Sequence, residues 1–137
     1  MQTLANNIKV VTFQKPLALD EDNSPIRSTV IDTWGTAPES FDSALVLVST
    51  GAKGADVTVI SVKVQESDNA DGSTSATDAE GGAAQTVLEN TTTAFQIHRT
   101  KRYLVVVVTL TATGAADTVP MSAVGVLNNW ALPFPLI

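Results

Sequence analysis

Short runs in which apolar and polar residues alternate, separated by turn residues, cover most of this chain. In the segment 57–65, Ile60, Val62 and Val64 alternate with polar residues that end at Gln65. Successive side chains of a β-strand point to opposite faces, so this alternation predicts a strand with its apolar face on a core and Gln65 in solvent. A helical period is sustained nowhere along the chain.

The segment 103–113 gives the strongest strand signal. Its even positions are apolar from Leu104 to Ala112, whereas its odd positions are apolar at Val105 and Val107 and then turn to threonine. This pattern predicts a central strand with one end buried on both faces. Further strands are predicted at 26–34, 44–48, 94–99 and 119–127, a strand or short turn at 85–88, and an exposed loop over the polar stretch 66–83.

About eight short strands separated by turn residues are typical of a sandwich or barrel. We therefore predict an all-β fold, a jelly-roll-like antiparallel β-sandwich with extended N- and C-terminal arms. Immunoglobulin-like topology is the alternative, although the Cys and Trp pattern of true immunoglobulin domains is absent. The predicted organisation is an N-terminal arm at 1–25, a sandwich domain at 26–129 and an apolar tail at 130–137, with regular structure beginning after Pro25. Within the arm, 10–13 is a short strand candidate that Pro16 interrupts.

The composition agrees with this fold and argues against some classes of partner. About forty of the 137 residues are Val, Ile or Thr, which fit the pleated surface of a sheet. The formal net charge of -6 and only eight Lys and Arg residues argue against nucleic acid and an anionic membrane surface as partners. The first residues lack the basic and apolar regions of a signal peptide. The absence of cysteine fits a protein that folds in a reducing compartment.

Residues able to carry out catalysis or bind a metal are few. His98, the single histidine, is expected on the outward face of its strand, and one histidine cannot build a multi-histidine metal site. The acidic runs 20–23 and 68–72 could attract Ca²⁺, but neither has the spacing of an EF-hand, and solvated loops are the simpler interpretation. We therefore predict no catalytic residue, cofactor or metal site. A carboxylate pair for glycoside hydrolysis stays open, because the separation of two carboxylates depends on the fold.

Aromatic residues near the C-terminal end are candidates for contact with a partner. The tail contains Trp130 and Phe134, and its two prolines prevent it from forming a central strand. Such an apolar tail must be covered, either by its own sandwich or by a neighbouring chain on which the two aromatic side chains dock. Trp34 and Phe41 are further aromatic candidates, for a protein partner or for a shallow sugar-binding face.

A cluster of basic residues is the second candidate for partner contact. Arg99, Lys101 and Arg102 place three of the eight positive charges within four residues. Such a run forms either a solvated turn or a basic patch that meets acidic groups of a partner. In the second case, charge complementarity would fix the register and speed association more than raise affinity.

Two stretches of the chain, 44–73 and 99–129, also carry a family resemblance. The first contains an apolar strand, a Ser-Thr-Gly turn and a second strand that ends in the run KVQESD at 63–68, followed by an Asp-Gly loop. The second contains the basic run RTKRYL at 99–104, which leads into a long apolar strand. Together they resemble the small jelly-roll capsid decoration (cement) proteins of tailed bacteriophages. The resemblance covers a little under half of the chain and does not reach the N-terminal arm.

The resemblance implies a non-enzymatic structural virion protein without a cofactor. Its expected partners are the major capsid protein and further copies of itself, in a homodimer or homotrimer on the outer capsid surface. Such a protein is made in the host cytoplasm. Two other classes remain open: a carbohydrate-binding β-sandwich module of a phage tail or fibre, and, with the least support, an enzyme with a cleft of converging titratable groups.

Overall fold

The structure, a computed structural model, describes residues 8–34 and 41–128 and is all-β over those ranges. A single 3₁₀ turn, Glu21–Asn23, is the helical element of the described chain, and no helix there is long and apolar enough to span a membrane. The strands are β1 (Ile8–Asp20), β2 (Ile26–Arg27), β3 (Ile31–Asp32), β4 (Ser43–Thr50), β5 (Val57–Ser67), β6 (Thr77–Asp78), β7 (Gln85–Thr86), β8 (Thr92–His98), β9 (Tyr103–Ala112) and β10 (Thr118–Asn128).

These strands form two antiparallel sheets with the order of a jelly roll. One sheet runs β1-β10-β4-β8, and the other runs β2-β9-β5-β6, with β3 also on β9 and β7 also on β5. The short strands β2 and β3 together form one interrupted edge strand, and β6 and β7 form another. Counting each pair as one strand gives the eight strands and two interlocked Greek keys of a jelly roll. The predicted jelly-roll-like β-sandwich is therefore confirmed.

The core lies between the two sheets, where the alternating apolar positions meet. Ile60, Val62 and Val64 of β5 are buried as predicted, and the even positions of β9 from Leu104 to Leu110 are buried beside them. The facing sheet contributes Val46 and Phe95, which are almost completely buried. Apolar faces that meet in this way leave water together, which is the main favourable term in folding.

The predicted N-terminal arm is wrong over residues 8–20, which form a strand of the four-stranded sheet. β1 pairs with β10 from Ile8 opposite Asn128 to Asp20 opposite Thr118. The prediction failed because Pro16 was read as an interruption. Pro16 lies where the register shifts between Gln14 and Leu17, on an edge strand, and there its missing N–H leaves no ladder bond broken. Residues 1–7 lie outside the described chain.

The predicted exposure of Gln65 is also wrong. Arg27 Nη2 donates to Gln65 Oε1 at 2.9 Å, and Gln65 Nε2 donates to Asp78 Oδ1 at 3.2 Å. This hydrogen-bonded chain crosses the outer face of the sheet from β2 to β6, beside the positions of Val105 and Val107. Both valines are buried, which confirms the prediction that one end of β9 is buried on both faces.

The polar stretch 66–83 is a loop that is exposed over most of its length, but its ends pack on the sandwich. It contributes β6, and it buries Glu66, Ser67 and Ala79. The alternating pattern gave no sign of this, because these contacts join residues far apart in the chain. One of them, through Glu66, organises the basic turn.

Candidate functional site

The basic turn, residues 99–102 between β8 and β9, is held by the buried carboxylate of Glu66. One oxygen of Glu66 accepts hydrogen bonds from the backbone N–H of Thr100 at 2.8 Å and of Lys101 at 3.2 Å. The other oxygen accepts from the Thr100 hydroxyl at 2.6 Å. Glu66 is only 4% exposed, so these bonds compensate for the cost of removing a carboxylate from water. The turn is thereby fixed to the end of β5.

Arg102 forms the outer part of this turn and makes a two-pronged ion pair with Asp32. Its Nε and Nη2 atoms lie 2.9 Å and 2.7 Å from the two carboxylate oxygens. The hydrogen bonding by Asp32 raises the pKa of Arg102. The guanidinium also lies over two aromatic rings, 4.7 Å from the centroid of Trp34 and 5.1 Å from that of Tyr103. We call Asp32, Trp34, Arg102 and Tyr103 the Trp34 cluster.

Arg99 and Lys101 point back to their own chain as well. Arg99 Nε donates to the carbonyl of Phe41, and Lys101 Nζ donates to the carbonyl of Ser75 at 3.0 Å. Partial burial of the Arg99 guanidinium lowers its pKa, against the opposing attraction of nearby carboxylates, foremost Asp42. The predicted basic run is therefore a structured turn whose charged groups already bind acceptors of the same chain.

The other predicted aromatic candidates have separate positions. Trp34 is 49% exposed, so its ring is accessible to a partner. Phe41 is 7% exposed and belongs to the core, so its prediction as a surface anchor is wrong. The Phe41 backbone N–H donates to the carbonyl of Thr33 at 2.9 Å. Trp130 and Phe134 lie outside the described residues.

A second surface, missed by the sequence analysis, is the outer face of the four-stranded sheet. The register aligns outward side chains of its strands in two adjacent rows that carry no charged residue. We call this surface the apolar face; its rows are Val10, Val126, Leu45 and Gln96, and Thr12, Val124, Leu47 and Ala94. The available signal is the run 44–48, which is apolar at every position; it predicts a strand but does not show that one face of the strand stays exposed.

An open depression lies at one end of the apolar face, where β10 ends. It has a volume of about 510 Å³ and is lined by residues that include Leu45, Gln96, His98, Val126 and Asn128. His98 lies on the outward face of β8, as predicted. The side-chain oxygen of Asn128 is buried but has no hydrogen-bond donor among the described residues.

The two predicted acidic runs differ in the structure. Carboxylate oxygens of Asp20 and Asp22 lie within 4.8 Å of each other and of Asp117, which the chain brings in from the start of β10. Oxygen ligands of this kind suit Ca²⁺, but exposed acidic groups are common without a metal. In the second run, Asp71 accepts hydrogen bonds from Ser73 and Thr74 and closes its own loop, which lowers its pKa to about 2.

The chain was compared with models of protein families, with characterised proteins and with solved structures. No family, characterised protein or solved structure matched it.

Proposed function

We propose that this chain is a non-enzymatic capsid decoration, or cement, protein of a tailed bacteriophage. It binds the outer surface of the head and stabilises contacts between major capsid subunits. One observation carries the proposal. The two stretches that resemble decoration proteins, 44–73 and 99–129, supply β4 with β5 and β9 with β10, and β10 pairs with β4 while β5 pairs with β9. The resemblance thus covers the central strands of both sheets rather than scattered segments.

The Trp34 cluster is the proposed contact with the capsid. Interface hot spots are rich in Trp, Tyr and Arg, and this cluster combines all three with side chains already held in place. The Asp32 pair and the stacked rings fix the Arg102 guanidinium before binding, so little side-chain entropy is lost on contact. The hydrogen bonds from Glu66 fix the turn beneath it.

The proposed mechanism is mass action. A protein that binds the assembled shell but not free capsid subunits stabilises the shell by its free energy of binding. Each copy would need an interface of about 1,600 Å², the usual size of a stable protein contact. A homodimer or homotrimer placed across capsomer junctions would connect several capsid subunits at once.

The proposal is tested with heads of the phage that encodes this chain. Heads that lack the chain should release DNA at a lower temperature than complete heads, and added purified chain should restore the higher temperature. A Trp34→Ala variant should restore it poorly. The matched control is Leu88→Ala, which removes an exposed apolar side chain between β7 and β8 that is not part of the cluster. Equal DNA release with and without the chain would contradict the proposal.

The second candidate function is a carbohydrate-binding module of a phage tail or fibre. The exposed ring of Trp34 favours it, because sugars stack on accessible aromatic faces. One face of that ring is covered by Arg102 at 4.7 Å, so a sugar would have to stack on the opposite face. Binding of the purified chain to host-surface glycans, lost in Trp34→Ala, would support this function over capsid decoration.

A further inference from the structure

The outer faces of the two sheets differ in charge. The outer face of the six-stranded sheet carries Arg27, Lys63 and Asp78, which take part in the hydrogen bonds and the ion pair that cross it. On the four-stranded sheet, the outward positions of β10 within 120–128 and the described residues paired with them include no Asp, Glu, Lys or Arg. Lys15 lies in the bulge of the edge strand β1, outside these pairs. A large uncharged surface therefore lies on one side of the sandwich.

The apolar face forms the centre of this uncharged surface. Val10, Leu45 and Val124 are 70%, 37% and 36% exposed, although the outward face of a sheet that meets water normally carries polar side chains. Hydroxyl, amide and imidazole side chains border the apolar face on both sides: Ser122, Ser49 and Thr92 on one, and Asn128, Ser43 and His98 on the other. An apolar centre without charge and a polar border are the anatomy of a protein interface.

The size of the uncharged surface is sufficient for a small stable interface. Nine residues of β10, 120–128, at about 3.4 Å each, and four strands about 4.8 Å apart give an area on the order of 600 Å². Stable protein interfaces begin at about 1,200 Å² in total, or about 600 Å² on each partner. A partner of this surface must therefore cover nearly all of it with a face of similar extent and flatness.

A second copy of this chain supplies such a face. Each copy has a formal net charge of -6, so two copies repel each other wherever acidic groups meet. The uncharged surface avoids that repulsion. We propose that two copies pack their four-stranded sheets face to face across a two-fold axis, with Leu45, Leu47, Val124 and Val126 at the centre. One continuous face matches itself in a two-fold dimer, whereas a three-fold ring needs two different patches on each copy.

This dimer leaves the Trp34 cluster free, because Asp32 in β3 and Tyr103 in β9 belong to the other sheet. One dimer would thus present two clusters, and a second contact with the same head would strengthen binding without any new kind of contact. That consequence rests on the proposed function. The dimer itself does not, because it is a property of the isolated chain.

The test is the mass of the purified chain in solution, measured by light scattering after size-exclusion chromatography. Dimerisation follows mass action, so the chain is measured over about a hundredfold range of concentration. We expect the mass of two chains at the upper end of that range. The mass of one chain at every concentration overturns the inference, and so does the mass of three chains.

A charge at the centre of the apolar face shows whether this surface forms the dimer. Leu45→Glu enters a two-fold interface twice, so we expect it to raise the dimer dissociation constant about a hundredfold. Leu88→Glu, the same substitution at an exposed leucine between β7 and β8, should dimerise like the unmodified chain. Thermal melting shows whether each variant is folded, and Val124→Glu replaces Leu45→Glu if that variant is not.

Two further outcomes separate this inference from capsid decoration. A dimer that Leu45→Glu and Val124→Glu leave intact overturns the inference, because the copies would then meet through another surface. Binding to phage heads is measured independently by sedimentation. A chain that is monomeric in solution but still binds heads would overturn the dimer and leave decoration standing, whereas a dimer that does not bind heads would do the reverse.

Discussion

The carboxylate of Glu66 and the residue Thr100, 34 positions apart, are joined by two hydrogen bonds, one to the backbone N–H and one to the hydroxyl. This contact connects the end of β5 to the basic turn that precedes β9. It explains why a run of three basic residues forms a defined structure rather than a loose solvated loop. The turn then positions Arg102 over Trp34.

Replacing Glu66 with Gln should destabilise the protein by about 1–3 kcal/mol, because an amide accepts with one oxygen and is a weaker acceptor than a carboxylate. Its NH₂ group would face the donors on the turn. The measurement is the urea midpoint of unfolding. Glu80→Gln makes the same change of charge at an exposed side chain and should leave the midpoint almost unchanged. Equal midpoints for the two variants would contradict the role given to Glu66.

Replacing Arg102 with Lys should weaken binding to phage heads almost as much as replacing it with Ala. Lysine keeps the charge but loses the planar fork that pairs with Asp32 and stacks on Trp34. Binding is measured by sedimentation of labelled chain with heads at fixed salt. Lys15→Met removes a positive charge from exposed β1 and serves as the control. If Arg102→Lys binds like the unmodified chain, charge alone acts at this position.

Replacing Asp71 with Asn should remove a pH-dependent contribution to stability. The folded protein holds the pKa of Asp71 at about 2, below the ordinary value of 3.8, mainly through hydrogen bonds from Thr74. A lowered folded pKa stabilises the protein above the ordinary value, and this contribution is lost as the pH falls from about 3.8 to about 2. The stability difference between the unmodified chain and the variant should therefore shrink across that range.

The check is urea unfolding at several pH values between 2 and 7. Asp68→Asn, on the same loop, is the matched control, since it removes a carboxylate outside the hydrogen-bonded turn. A difference between the Asp71 variant and the unmodified chain that stays constant down to pH 2 would show that the hydrogen bonds to Asp71 do not favour its charged form.

Replacing Asp117 with Asn should stabilise the protein slightly, by a few tenths of a kcal/mol, because it relieves repulsion among three neighbouring carboxylates. The gain should fade at high salt, where exposed charges are screened. Thermal melting at low and high salt measures both effects. A lower melting temperature in low salt would mean that Asp117 makes a favourable contact instead.

The fold was predictable from local pattern because period-two alternation marks strands wherever one face is buried. The pattern failed to predict β1 because of Pro16. The sequence alone does not reveal that this proline lies at a register shift on an edge strand. The pattern also wrongly predicted that Gln65 is exposed, because the burial of Gln65 depends on Arg27 and Asp78 from other strands. Burial set by such distant partners leaves no trace in alternation.

The candidate site was less predictable than the fold. Aromatic and basic residues identified Trp34 and Arg102, but their stacking depends on Asp32, which lies 70 positions from Arg102 in the chain. The apolar face arises only when the register brings Val10, Val126 and Leu45 into one row. A dense apolar strand such as 44–48 reads the same whether one or both of its faces are covered.

The most direct test of capsid decoration is a count of this chain in purified particles of the phage that encodes it. Quantitative mass spectrometry is applied separately to DNA-filled heads and to isolated tails. Decoration predicts hundreds of copies per head and none in the tails. A few copies confined to the tails would point to receptor binding, and absence from both fractions would contradict a virion role altogether.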